Sequence, residues 1–100
     1  MMYIYRYMNP YAIDPQKPYY IGQTNDLQRR DREHSRDDDW CYEFLDLEYI
    51  TCENFMADNL EAYYIEKLKP LYNTEKPSYN LTVELLSFVS KEHNWRKFER

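Results

Sequence analysis

Two places in the chain put polar side chains where a small domain would normally bury apolar ones. Between Asp26 and Asp37 the only aliphatic residue is Leu27, and the positions sharing its helical face are Arg30 and His34. A helix packed on a sheet carries an apolar stripe at those spacings. Here a guanidinium and an imidazole would project side by side, about 5–6 Å apart at Cβ. The pair reads as a catalytic platform or, alternatively, as part of a solvent-exposed helix held by ion pairs such as Arg32 with Asp31 or Glu33. The second place is Glu61, in the middle of the stripe Ala57, Tyr64, Ile65 and Leu68. A carboxylate there must be paired, protonated or bound to a cation, because leaving it buried and unpaired costs several kcal/mol. The alternative is a place at the stripe's edge, paired with an arginine.

The elements that must position these groups are readable in outline. Tyr3 to Met8 is a strand by its aromatic and β-branched content, Asn9-Pro10 and Asp14-Pro15 mark a long turn, and Tyr19 to Gln23 is the returning strand. Helix one starts near Thr24-Asn25, where Asn25 and Gln28 resemble a capping box, and runs to about Asp37. Residues 42–50 alternate in polarity from Phe44 onward and predict a third strand. A second helix runs from Glu53 or Asn54 to Lys69 and stops before Pro70, whose ring disfavours a helical predecessor. After a loop with Pro77, Thr82 to Phe98 is expected to be helical, with Leu85, Leu86 and Val89 inward. No repeat, low-complexity tract or linker interrupts this order.

One hundred residues are read as a single domain with one hydrophobic core. Twelve of the eighteen aromatics are tyrosines, which supply core bulk but need partners for their hydroxyls, so many are expected at surface-to-core boundaries. Cys41 and Cys52 lack metal-site spacing and are expected to be buried thiols. No long apolar run or leader-like pattern is present, which predicts a soluble, intracellular protein, cytoplasmic or, in a eukaryote, nuclear, with no membrane partner. The net charge of −5 argues against a simple nucleic-acid coat protein. Its distribution is uneven: residues 37–53 hold seven acidic side chains and no basic one, whereas Arg29, Arg30, Arg32 and Arg36 cluster just before them. Contact with a polyanion would therefore be local.

Together these residues carry a family resemblance. Tyr3-Ile4-Tyr5, Tyr20-Ile21-Gly22-Gln23-Thr24, the run Asp26-Leu27-Gln28-Arg29-Arg30 with His34, and Glu61-Ala62-Tyr63-Tyr64-Ile65 with Pro70 and Asn73 resemble the GIY-YIG nuclease domain in order and spacing. The resemblance spans residues 3 to about 74. It implies a small α/β (α+β) domain, a three-stranded antiparallel sheet flanked by helices, and a divalent-metal-dependent DNA endonuclease. Tyr3 stands where the first motif has glycine, the turn between Tyr5 and Tyr20 is longer than in typical members, and Gln23 replaces a frequent basic residue.

The implied chemistry suits the residue types. Hydrolysis of a phosphodiester needs an activated water, neutralisation of charge on the phosphate and help for the leaving 3′ oxygen. By resemblance Glu61 holds one Mg²⁺ (or Mn²⁺), an ion that keeps most of its waters and commonly uses one or two carboxylates. Arg30 forks onto nonbridging phosphate oxygens as a planar, permanent cation, with Arg29 a further substrate-binding group. Tyr5 is the favoured general base, provided the metal or Arg30 stabilises its phenolate. Tyr20 orients water or phosphate, His34 hydrogen-bonds Tyr5 or relays a proton, and Asn73 supports the site by bridging the loop after helix two.

The expected substrate is double-stranded or branched DNA, and a homodimer or sequential nicking would be needed to cut both strands. Tyr3, Gln23 and the acidic segment also motivate a second expectation, a weak or inactive nuclease-derived module that binds DNA structures or a protein. A third is that the acidic face docks a basic partner subunit that supplies DNA affinity.

Overall fold

The computed structural model describes residues 1–75, 77–91 and 94–100. Strand β1 (Met2–Met8) has Ile4 in one buried cluster and Tyr5 and Tyr7 in another. That double burial follows from its place in a four-stranded antiparallel sheet of order β2-β1-β3-β4. Strand β2 (Tyr20–Thr24) pairs with β1 so that Tyr5 faces Gly22 and Tyr7 faces Tyr20. Helix α1 (Leu27–Asp37) lies on the Tyr5 face. Helices α2 (Ala57–Leu68) and α3 (Val83–Val89) bury Ala57, Leu60 and Leu85 against Ile4, Ile21 and Ile50 on the other. Each fully buried aliphatic contributes about 1.5–3 kcal/mol relative to exposure. The mixed α+β class expected from the sequence is present, with four strands in place of three. Among the described residues no helix is long and apolar enough to cross a membrane.

Several element boundaries differ from expectation. The N-cap of α1 is Asp26 rather than Asn25: its backbone is extended, and its Oδ1 accepts the Arg29 N–H at 3.1 Å. The third strand, β3, spans Asp46–Cys52 rather than 42–50. Residues Tyr42 to Leu45 instead turn, the Leu45 N–H donating to the Tyr42 carbonyl, while the Tyr42 and Phe44 rings stack at 5.4 Å on the surface. The second helix begins as one 3₁₀ turn, Asn54–Met56, before α2, and Lys69 ends it in the left-handed region (φ 48°) just before Pro70. Cys52 is buried as expected, but Cys41 is only half-buried.

The largest correction is at the C-terminal end. The helix expected over Thr82 to Phe98 stops at Val89, and Arg96–Lys97 forms β4, paired with β3. The part of that expectation falling on residues 92 and 93 lies outside the described residues. Leu85 faces inward and Val89 packs against the core, but Leu86 is exposed. Distant partners account for the change. The Arg6 guanidinium lies 4.2 Å over the Trp95 ring and 2.7 Å from Glu48, and Trp95 meets Tyr64 edge-on at 5.3 Å.

Beyond β4, Arg100 donates to both carboxylate oxygens of Asp31, at 2.8 and 3.1 Å, and to the Leu45 carbonyl at 3.0 Å. The Tyr7 hydroxyl donates to the same carboxylate at 2.6 Å. Burial alone would raise the Asp31 carboxyl, but the hydrogen bonds from Arg100 and Tyr7 outweigh it and hold it below the usual carboxylate range. The stabilisation is therefore complete above the unfolded-state value of 3.8 and is lost as pH falls through the lower folded-state value. Arg100→Ala is expected to cost about 1–3 kcal/mol near neutral pH, because it leaves a buried acceptor short of a donor. In urea titrations the difference from the parent should shrink once Asp31 protonates; a difference that does not change with pH would refute this account.

Candidate active site

Gly22 is the only glycine of the chain, and its missing side chain shapes the site. A Cβ built there would lie 2.5 Å from Tyr5 Cζ, so the phenol of Tyr5 occupies the space that any other residue's side chain would need. Tyr5 is 1% exposed and its hydroxyl lies 2.7 Å from His34 Nε2. The other imidazole nitrogen, Nδ1, lies 2.6 Å from Asp38 Oδ2. Tyr20, two residues from Gly22 on the same strand face, sets its ring 4.9 Å from His34 and stacks on Trp40 at 4.8 Å. A phenol, an imidazole and a carboxylate are thus joined in one chain that starts under Gly22 and ends at the half-exposed Asp38.

The reading of α1 as a solvent-exposed helix fails, because Leu27, Asp31 and His34 are all buried. Its ion pairs also differ from Arg32 with Asp31 or Glu33. Asp31 is taken by Arg100, and Glu33 by Arg30 at 3.2 Å. The Arg30 side chain, 36% exposed, is left at the rim, where its positive charge favours ionisation of both Tyr5 and Tyr20. Burial, with the neighbouring Tyr20, nevertheless pushes the Tyr5 phenol well above the ordinary tyrosine range. Tyr20 is raised by burial as well. His34 is held below its ordinary value by burial, against the opposing hydrogen bond to Asp38. At neutral pH the resting site therefore holds a neutral phenol next to a neutral imidazole.

Glu61 lies on the opposite face of the sheet, on α2, and meets the same strand edge. Gln23, beside Gly22, donates through Nε2 to Glu61 Oε1 at 3.2 Å and to Asp58 Oδ1 at 2.6 Å. Glu61 is half-buried beside the buried Leu60 and Ala62; among the described residues its hydrogen bond comes from this amide and not from an arginine. Burial raises its carboxyl, the Gln23 hydrogen bond opposes, and Asp58 and Glu75 add to the rise. Among the described residues Glu61 is a half-desolvated carboxylate with other carboxylates nearby and an amide as its donor, a group that could hold a cation. Among the described residues no cluster of three or more His, Cys, Asp or Glu side chains would enclose a metal.

Asn73 holds the edge of β2 in place. Its Oδ1 accepts the Ile21 N–H and its Nδ2 donates to the Ile21 carbonyl, both at 2.9 Å. The Leu71 N–H donates to the Pro18 carbonyl and the Tyr72 N–H to the Tyr19 carbonyl, so residues 71–73 are tied to the start of β2 and its edge. Arg29 is not part of the Tyr5 network: its guanidinium reaches Asn25 at 3.4 Å, beside a cleft of about 480 Å³ shared with Tyr3 and Tyr49. Tyr3 packs edge-on to Tyr49 at 5.5 Å, toward β3, and leaves the space over Gly22 to Tyr5.

Asp38 and Trp40 escaped the reading of the sequence. For Asp38 a signal was available, since it follows His34 by four residues and that spacing brings side chains together. Trp40 carried none, because its loop has no period. Neither protein-family models, nor curated proteins, nor solved structures match this chain.

Proposed function

We propose that the chain is a GIY-YIG-type endonuclease that hydrolyses phosphodiester bonds in DNA with the help of a divalent metal. The observation that carries this reading is the convergence of Tyr5, Tyr20, Arg30 and His34 on the Gly22 edge of β2, with Glu61 reaching the same edge from the opposite face. Arg30 at the rim forks onto the nonbridging oxygens of the scissile phosphate. Tyr5 cannot rest as a phenolate, since burial keeps it protonated. It works as a base by passing its own proton on: water's O–H breaks as Tyr5 gains that proton, while the Tyr5 O–H breaks toward the bare Nε2 of His34. Water's oxygen bonds to phosphorus, the P–O3′ bond breaks, and its electron pair leaves on O3′, which is protonated from solvent. Tyr20 orients the attacking water through its hydroxyl. Mg²⁺ or Mn²⁺ held by Glu61 would supply Lewis-acid stabilisation of the phosphate and leaving oxygen.

Purified protein is expected to nick supercoiled, flapped or four-way DNA with Mg²⁺ and not with EDTA. Glu61→Gln, which keeps the shape and removes the charge, should raise the Mg²⁺ concentration needed for half-maximal rate at least about tenfold, equivalent to about 1.4 kcal/mol. Cleavage that persists in EDTA, or an unshifted metal titration, would rule the mechanism out.

One observation favours a second reading, a binding module that does not cut. Gln23 already occupies an oxygen of Glu61 and bridges it to Asp58. Binding of branched DNA or of a basic protein partner with no turnover across metals and substrates would select it.

A further inference from the structure

Asp38 follows the last residue of α1, where the backbone turns from helical to extended (φ −115°, ψ 120°). Its N–H still donates to the His34 carbonyl at 2.9 Å, while its side chain folds back to the His34 ring at 2.6 Å. Both ends of the residue thus engage the same histidine. A carboxylate can only accept, so the short contact puts a proton on Nδ1; in a neutral imidazole that leaves Nε2 bare. The Tyr5 hydroxyl at 2.7 Å must then be the donor.

We propose that Asp38 is a positioning residue that locks His34 in the Nδ1–H tautomer and so makes Nε2 the acceptor for the Tyr5 proton. Its catalytic consequence rests on the nuclease reading above; its effect on the tautomer does not. The alternative is an imidazolium with both nitrogens protonated, whose Nε2–H would donate to Tyr5 and block the relay. The groups facing the ring oppose it in balance. Tyr5 and Tyr7 of β1, Tyr20 of β2 and Trp40 surround it with rings that exclude water, which disfavours a charged ring, and Arg30 adds positive charge. Of the two carboxylates that would favour it, Asp31 is already neutralised by Arg100, which leaves Asp38. During turnover the Asp38 side chain keeps its hydrogen bond to Nδ1, so the imidazolium formed transiently is held in place by it. The exposed side of its carboxylate, 37% accessible, gives solvent a way to the relay's end.

The test uses the full chain labelled with ¹⁵N in histidine, with His93→Gln to leave a single imidazole. Near neutral pH, long-range ¹H–¹⁵N spectra should show a protonated Nδ1 and a bare Nε2. Asp38→Ala removes the acceptor, and the ring should revert largely to the Nε2–H form that free histidine prefers. Asp38→Glu, which can restore the acceptor, should regain part of the Nδ1–H form. In cleavage assays Asp38→Ala should lower kcat by about 10²–10⁴-fold with KM for DNA little changed. A parent ring found as Nε2–H, or a tautomer unmoved in Asp38→Ala, overturns the proposal. So does a parent that cuts DNA measurably but no faster than Asp38→Ala. Should the parent not cut at all while the tautomer behaves as expected, the nuclease reading fails and the role of Asp38 stands.

Discussion

Arg30→Ala is expected to lower the single-turnover cleavage rate by about 10³–10⁵-fold, the range an arginine contributes when it neutralises charge on a transferring phosphoryl group. Stability should hardly change, because the side chain is about a third exposed and its pair with Glu33 is of the surface kind, worth about 0–1 kcal/mol. That contrast makes the variant informative: a large kinetic loss without a shift in melting temperature belongs to chemistry and not to folding. Arg30→Lys should recover only part of the rate, since an ammonium keeps the charge but cannot fork onto two oxygens. Rates within about threefold of the parent for Arg30→Ala would remove Arg30 from the site.

The second large effect concerns a residue with no functional group. Gly22→Ala would set a methyl 2.5 Å from Tyr5 Cζ, inside contact distance of an aromatic ring. The ring cannot easily retreat: Tyr5 is enclosed by Tyr7 at 6.0 Å, Tyr20 at 6.3 Å and His34 at 5.7 Å. The backbone of Gly22 is not in the left-handed region, so the penalty arises from space alone. Overpacking of this kind costs about 1–3 kcal/mol. Displacing the phenol by about 1 Å from His34 should cost on the order of 10²-fold in rate. Urea unfolding and cleavage measured on the same preparation check both, and a variant as stable and as fast as the parent would show that Tyr5 has room the packing does not suggest.

These two residues also show what could be read without coordinates. Arg30 stood out because it occupied an apolar position of a helix, a local pattern with period 3.6. Gly22 stood out only through its motif; nothing local shows that Tyr5, seventeen residues earlier, fills the space above it. The same division runs through the fold. The β1–β2 hairpin, α1 and α2 have local signals and fall close to their expected places. The C-terminal segment does not, because Trp95 and Arg100 answer to Arg6 and Asp31, far away in the chain. Asn25 and Asp26 are both competent N-caps, and the choice between them depends on which backbone the end of β2 leaves extended.

Residue types and short spacings were enough to mark an α+β chain and to single out Arg30, His34 and Glu61, since helical period is a local property; Tyr5 and Tyr20 stood out only through the resemblance. Folding alone stacked Trp40 on Tyr20, joined Tyr7 and Arg100 at Asp31, and separated Arg29 from the Tyr5 network. It also made Tyr5 a resting phenol. The physical reason is that protonation depends on burial and on the charges that long-range packing sets around a group.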